Sequence, residues 1–215
     1  MNAGFSNLAT LKAWLLPPAL AAATDYDAQI LAIGRGAAAQ LEGHCNRKFP
    51  RVVGDLYETT ADRLVVILPR YPVEVISKVE IRNTIAEGWI DQGNPDQILF
   101  NRRDQAGILD IGGWLGGRYQ RLRFTFTGGY FFEQLEPADT GYPTAQPSGS
   151  AALPDDLALA WRLQCEHIWT QRDKLGLSIA EQPKTLHGVV PNLASIQILP
   201  QAANLVRELV RYSMV

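Results

Sequence analysis

The sequence predicts an α+β protein: a helical bundle scaffold interrupted by an inserted antiparallel β-sheet or small barrel. Three observations carry this. Residues 25–45 repeat apolar side chains every three or four positions, the period of a helix with one buried stripe. From residue 64 to residue 127 the pattern changes to strand-length apolar runs and two-residue alternation, punctuated by turn residues. The helical period then returns after Pro154. The expected organisation is therefore residues 1–49 as N-terminal helices of the scaffold and 50–132 as the inserted β subdomain. A flexible loop over 133–153 leads to 154–215, the C-terminal helices that complete the scaffold.

A chain of 215 residues can bury roughly 70% of its unfolded surface, so it needs neither disulfides nor a metal to build a core. Its 20 basic and 22 acidic residues nearly cancel. That balance excludes a protein that holds nucleic acid mainly by its phosphates. Cys45 and Cys165 sit in separate helical patterns and form no spaced framework, which suits a reducing compartment. No apolar run approaches the ~18 residues of a membrane span. Residues 13–23 imitate a secretory signal, but the preceding segment carries the single charge of Lys12, and Pro17-Pro18 breaks the apolar stretch. A short helix over residues 8–16, ended by the prolines, is the expectation there.

The next helix spans residues 25–45, with Tyr26, Ile30, Ile33, Ala37, Leu41 and Cys45 on one stripe and Thr24 or Asp25 as its cap. Gly34-Arg35-Gly36 imitates a phosphate-binding pair, yet it lies in mid-stripe rather than between a strand and a helix start. Close packing of another helix is the expected reason for these glycines. Residues 64–68 then form a continuous apolar strand. In the following strand Val73, Val75, Val79 and Ile81 are expected inside, and Glu74, Lys78, Glu80 and Arg82 outside. Pro69 and Pro72 fall between the two, where no ladder bond is lost. Residues 98–100, 108–111 and 120–127 are further strands, separated by Gly-, Asn- and Asp-containing turns. Along the last of them Leu122, Phe124 and Phe126 share one face, while Arg121, Arg123 and Thr125 share the other.

Residues 136–152 are rich in Pro, Gly, Ser and Ala, without an apolar period, and read as a mobile connection. Pro154 is expected at the first helical position, with Asp155 and Asp156 at the positive end of the helix dipole. Leu157, Ala160, Trp161, Gln164 and Ile168 form that helix's inner face, and Arg162, Glu166 and Arg172 its outer one. A loose stretch over 175–191 precedes a last helix from about Pro200 to Tyr212. Leu205, Val206, Leu209, Val210 and Met214 form its apolar strip.

Catalytic signals are absent at this level. The sequence has no Gly-x-Ser-x-Gly elbow, His-Glu-x-x-His pair or Walker-type loop. Asp155 and Asp156 point about 100° apart on a helix, which suits dipole capping rather than acid–base work. Glu133 and Glu136 lack a second carboxylate at a glycosidase spacing. His44, Cys45, Cys165 and His167 are zinc-type donors near two helix ends, but no Cys-x-x-Cys knuckle supports them, and a cysteine on an apolar stripe is a small hydrophobe. The expectation is a chain that is not an enzyme and uses no cofactor and no metal. Arg121 and Arg123 are expected to pair with carboxylates such as Asp110, or to meet a neighbouring subunit, before any contact with DNA.

The order of segments resembles the head-tail connector, or head-completion adaptor, family of tailed bacteriophages. Connectors start with a short helix like Leu8-Ala9-Thr10-Leu11-Lys12-Ala13-Trp14-Leu15 and a longer one ending in a Cys-x-Arg-x-Phe element, here Cys45-Asn46-Arg47-Lys48-Phe49. A Pro-Val strand follows, matched by Pro72-Val73-Glu74-Val75-Ile76-Ser77-Lys78-Val79, then a strand end matched by Phe126-Thr127-Gly128-Gly129-Tyr130. The last matches are Pro154-Asp155-Asp156-Leu157 and His167-Ile168-Trp169-Thr170-Gln171-Arg172, with residues 136–152 as an insertion. The resemblance implies a virion structural protein of the neck, assembled in the host cytoplasm. It would form a ring of about twelve copies that docks on the portal protein, prolongs the DNA channel without sequence-specific binding, and presents a surface to a stopper or tail-terminator protein. No membrane is involved. Arg121, Arg123, Leu205, Val206, Leu209, Val210 and Tyr212 are the expected subunit or portal interface. The other reading is a carbohydrate-binding accessory domain in which Trp89, Trp114, Tyr119 and Tyr130 make a stacking platform.

Overall fold

The computed structural model describes residues 4–84, 86–112, 120–132, 145–171 and 197–211. The chain is α+β and divides into two units. Helices build the first, made of Met1–Asn46, Phe132–Gln146 and Leu153–Val215. The Asn7 side chain accepts from the Thr10 N–H and so starts α1 (Leu8–Leu15), which stops before Pro17-Pro18. A single turn, α2 (Pro18–Ala21), leads to α3 (Asp27–Cys45). The expected cap of α3 is not formed. Tyr26 occupies that position without a side-chain bond, and Thr24 contributes its carbonyl to the Asp27 N–H instead. Ile30, Ile33, Ala37, Leu41 and Cys45 are buried as their spacing requires, each large aliphatic contributing about 1.5–3 kcal/mol. Gly34 explains one half of the glycine pair: it is buried, and Trp161 Nε1 donates to its carbonyl at 2.9 Å. Space around Gly36 is open.

The helix after the connection, α5 (Asp155–Gln171), packs on α3 through Leu157, Ala160, Trp161, Gln164, Cys165 and Ile168. Pro154 is one position earlier than expected, giving its carbonyl to the Ala158 N–H. The last helix is shorter than its apolar strip suggested. α6 (Pro200–Leu205) yields to a 3-10 turn, Arg207–Leu209.

Strands build the second unit, Arg47–Phe131 with Pro147–Ala152. β1 (Val52–Thr60), β2 (Val65–Ile67), β3 (Val73–Arg82) and β4 (Ile90–Asp91) precede a one-turn helix, α4 (Pro95–Ile98). β5 (Leu99–Arg103), β6 (Ile108–Ile111), β7 (Arg121–Gly128) and β8 (Tyr130–Phe131) follow. Two antiparallel sheets result, in the orders β1-β7-β3-β4 and β2-β6-β5. Val66, Leu68, Val79, Leu109, Leu122, Phe124 and Phe126 meet in their common core.

Two expectations fail here for local reasons. The register of β3 against β7 shifts between Val73 and Val75 and again between Ile76 and Lys78. These irregularities turn Val75 out and Ile76 in, against simple alternation. Within the connecting region, β9 (Ala151–Ala152) runs parallel to β8, so the end of the expected loop joins the β unit. The stretch 175–191 lies outside the described residues.

Candidate subunit interface

Three separate sequence motifs meet at one point of the β unit. The buried Arg47 guanidinium stacks on Tyr71 at 3.3 Å from the ring centroid, with Phe49 at 5.0 Å and Tyr130 at 5.4 Å. Its Nη2 also donates to the Tyr71 carbonyl. Tyr130 N–H donates to Phe49 O and Gly129 N–H to Pro72 O, both at 2.8 Å. Gly129 has φ +96°, and a Cβ there would meet Pro50 O at 2.6 Å. The Cys-x-Arg-x-Phe, Pro-Val and Gly-Gly-Tyr elements therefore form a structural node. Beside it Arg51 clamps Glu74 through Nε and Nη2 at 2.6 and 2.8 Å, and Arg70 Nε donates to Asp55 at 2.7 Å.

The outer face of the four-stranded sheet carries the second charged group. Arg123 donates from Nε to Glu80 Oε2 at 2.8 Å, and Lys78 Nζ reaches Glu80 Oε1 at 2.7 Å. Glu80, expected outside, is 4% exposed because these cations cover it. Burial would raise its pKa, but the bonds and charges of Lys78 and Arg123 hold the carboxyl below the usual carboxylate range. Glu80 in turn raises Lys78 by its hydrogen bond and charge. The expected partner, Asp110, is in the other sheet, paired across from Val65 on β2 and Asn101 on β5. Arg121 remains exposed, directly opposite Arg82 on β3.

Of the expected interface residues, Arg121 and Arg123 lie on β7 in one unit, and Leu205, Val206, Leu209 and Val210 in the other. Tyr212 lies outside the described residues. Val206 corrects the expected strip: it is fully buried in its own unit, and its carbonyl lies 3.9 Å from Cys45 Sγ. Arg211 N–H donates to Cys45 O at 2.8 Å, so the end of the described chain is fastened to α3. Gln164 fastens its beginning. The buried amide donates to Gln40 Oε1 at 2.8 Å and accepts from the Leu199 N–H at 2.9 Å.

The stacking platform is also corrected. Tyr130 is buried against Phe49, and Trp89 carries the guanidinium groups of Arg82 and Arg123 at 4.6 and 4.2 Å. Trp114 and Tyr119 lie outside the described residues. Cys45 and Cys165 are free and buried, and burial pushes the Cys165 thiol up. Among the described residues no group of three or more His, Cys, Asp or Glu could hold a metal, and no helix is long and apolar enough to cross a membrane. Sequence reasoning missed β1. Its Val-, Tyr- and Thr-rich composition was the available signal, but polarity does not follow burial along it, since Leu56 and Glu58 are exposed while Asp55, Tyr57 and Thr59 are half-buried.

No protein-family model matches the chain, and no curated protein matches it. Solved structures do. A chain in the neck of an empty gene transfer agent (GTA) particle, computed with C6 symmetry, matches at TM-score 0.54 and 14% identity, over 98% of this chain and 92% of that one. A chain of the virion of a native GTA particle matches at TM-score 0.52 and 15% identity, again over 98% and 92%. The fold is shared. At these identities the likeness extends to nearly the whole path of the chain, both helical and β parts included, and to nothing finer.

Proposed function

We propose that this chain is a structural subunit of the neck of a tailed-phage-like particle, where it forms a ring between head and tail. The observation that carries the reading is the whole-length fold likeness to a chain in a GTA neck. The residue-level match to connector motifs, which converge at Arg47, points the same way. The ring, of about twelve copies, docks on the portal protein and extends the DNA channel. Its other side receives a stopper or tail-terminator protein. DNA passes without sequence-specific contacts, in keeping with a net charge of −2. The work is mechanical and repetitive rather than enzymatic. Assembly takes place in the host cytoplasm, and free chain associates only weakly until a portal concentrates it.

Electron microscopy of necks containing the tagged chain tests this. A closed ring of copies beneath the portal is expected; one or two copies per particle would refute it.

A further inference from the structure

β1 ends its sheet, and among the described residues no strand pairs with its other side. Ala61 N–H donates to Gln120 O at 3.1 Å, in continuous register with Thr60↔Arg121 through Asp55↔Phe126. Antiparallel bonding alternates, so Asp55, Tyr57 and Thr59 turn their backbone groups to β7, whereas Leu56, Glu58 and Thr60 turn theirs to the open side. Among the described residues, the Leu56 N–H alone is taken locally there, by Asp55 Oδ1 at 3.1 Å. No lysine or proline guards residues 52–60, Leu56 is 57% exposed, and Glu58 has no ion pair among the described residues. Such an edge is a template for another strand.

A complementary edge exists on the same unit. β2 ends the three-stranded sheet. Leu68 N–H donates to Gly107 O and Ile111 N–H to Leu64 O, both at 2.8 Å, which turns Leu64 toward β6 and Val65 away from it. Leu64 and Val65 are 55% and 40% exposed, and Arg63 just before them is exposed without an ion pair among the described residues.

We propose that β1 of one copy pairs antiparallel with residues 63–65 of a second copy, setting Glu58 opposite Arg63 and Leu56 opposite Val65. This register uses the outward-turned backbone of Glu58 and Val65 together with the Leu56 carbonyl, brings opposite charges together, and covers two exposed apolar side chains. The same complementarity goes unused within one copy. There the two segments are linked by residues 61–62 but diverge into different sheets, with Ala61 drawn into the core. Because the two edges differ, the contact is head-to-tail, and such contacts close into rings when their rotation permits. The proposal rests on the ring reading and names the edge that would build it.

The full-length E58C/R63C chain, concentrated and exposed to a mild oxidant, tests the register. Directly paired residues are about 5.5 Å apart, within disulfide reach. A ladder of covalent multimers is expected. A disulfide closed inside single chains, or none at all, overturns the pairing. Charge reversal gives a second measure: E58R or R63E alone should weaken self-association in sedimentation about tenfold, and E58R/R63E should restore it. Unchanged association in both single variants overturns the proposal. Rings that persist in necks carrying E58R would discard this edge and keep the ring. Necks with a single wild-type copy would discard the ring itself.

Discussion

The Arg47 guanidinium lies flat against Tyr71, 3.3 Å from the ring centroid, and donates to the carbonyl of the same residue. One side chain thus joins the start of the β unit to the loop before β3. Lysine has no planar fork to stack and donate at once. Arg47→Lys should destabilise the chain by about 2–4 kcal/mol, since it leaves a buried charge poorly held, whereas Arg47→Met should cost less because it removes the charge. Urea unfolding followed by tryptophan fluorescence measures both. Equal losses would show that shape alone matters at this position.

Glu80 gives the fold a dependence on pH. Burial disfavours its charge, but the hydrogen bonds and charges of Lys78 and Arg123 outweigh burial and lower its pKa. A carboxyl lowered in the folded state contributes stability above its unfolded pKa of about 4.3 and loses it as the pH falls through the folded value. Glu80→Gln should therefore be less stable at neutral pH, by about 1–2 kcal/mol. The gap should close as wild type is acidified below that range. A gap that persists at low pH would mean that the glutamine fails for steric reasons.

Gly129→Ala should be among the most damaging single changes. The residue has φ +96°, and an added Cβ would stand 2.6 Å from Pro50 O and 2.8 Å from Phe49 O, both backbone atoms with little freedom to move. A loss of about 2 kcal/mol or more is expected. Thermal melting of the variant measures it, and a melting point equal to wild type would rule out the strain.

The C-terminal segment should behave as core. Val206 and Ala202 are fully buried, and Gln164 holds the Leu199 amide. Val206→Ala should cost about 1–2 kcal/mol, and deleting residues 200–215 should lower the melting temperature rather than leave a stable monomer. If the truncated chain melts like wild type, the segment is free to serve docking alone.

How far the sequence could be read follows from which forces shape each element. The stripe from Ile30 to Cys45 and the alternation of Leu122, Phe124 and Phe126 are periodic because one side of each is buried, and they emerged with the right faces. β1 puts apolar Leu56 on its exposed side and polar Asp55 and Thr59 on its half-buried one, so its sequence carries no polarity period to read. Val75 was misplaced because register irregularities cannot be seen in a strand considered without its partner. Among the interface residues, Arg123 was recognised as needing a carboxylate, but Glu80 supplied it across β3, where Asp110 had been expected. Val206 shows the limit most plainly: an apolar strip serves docking and core equally well, and only three-dimensional contacts decide.

The helical unit is discontinuous along the chain, since α3 must pack on α5 and the whole β unit is encoded between them. During synthesis the first three helices therefore leave the ribosome without the surface that completes them. Their apolar stripe stays uncovered while the β unit, made almost entirely from residues between Arg47 and Phe131, already has most of its own partners. Translation thus favours a fixed order, strands first and bundle last. Joining of the bundle's two halves is a long-range closure, the kind of step that slows folding. The yield of folded chain then depends on how quickly each nascent copy closes that gap.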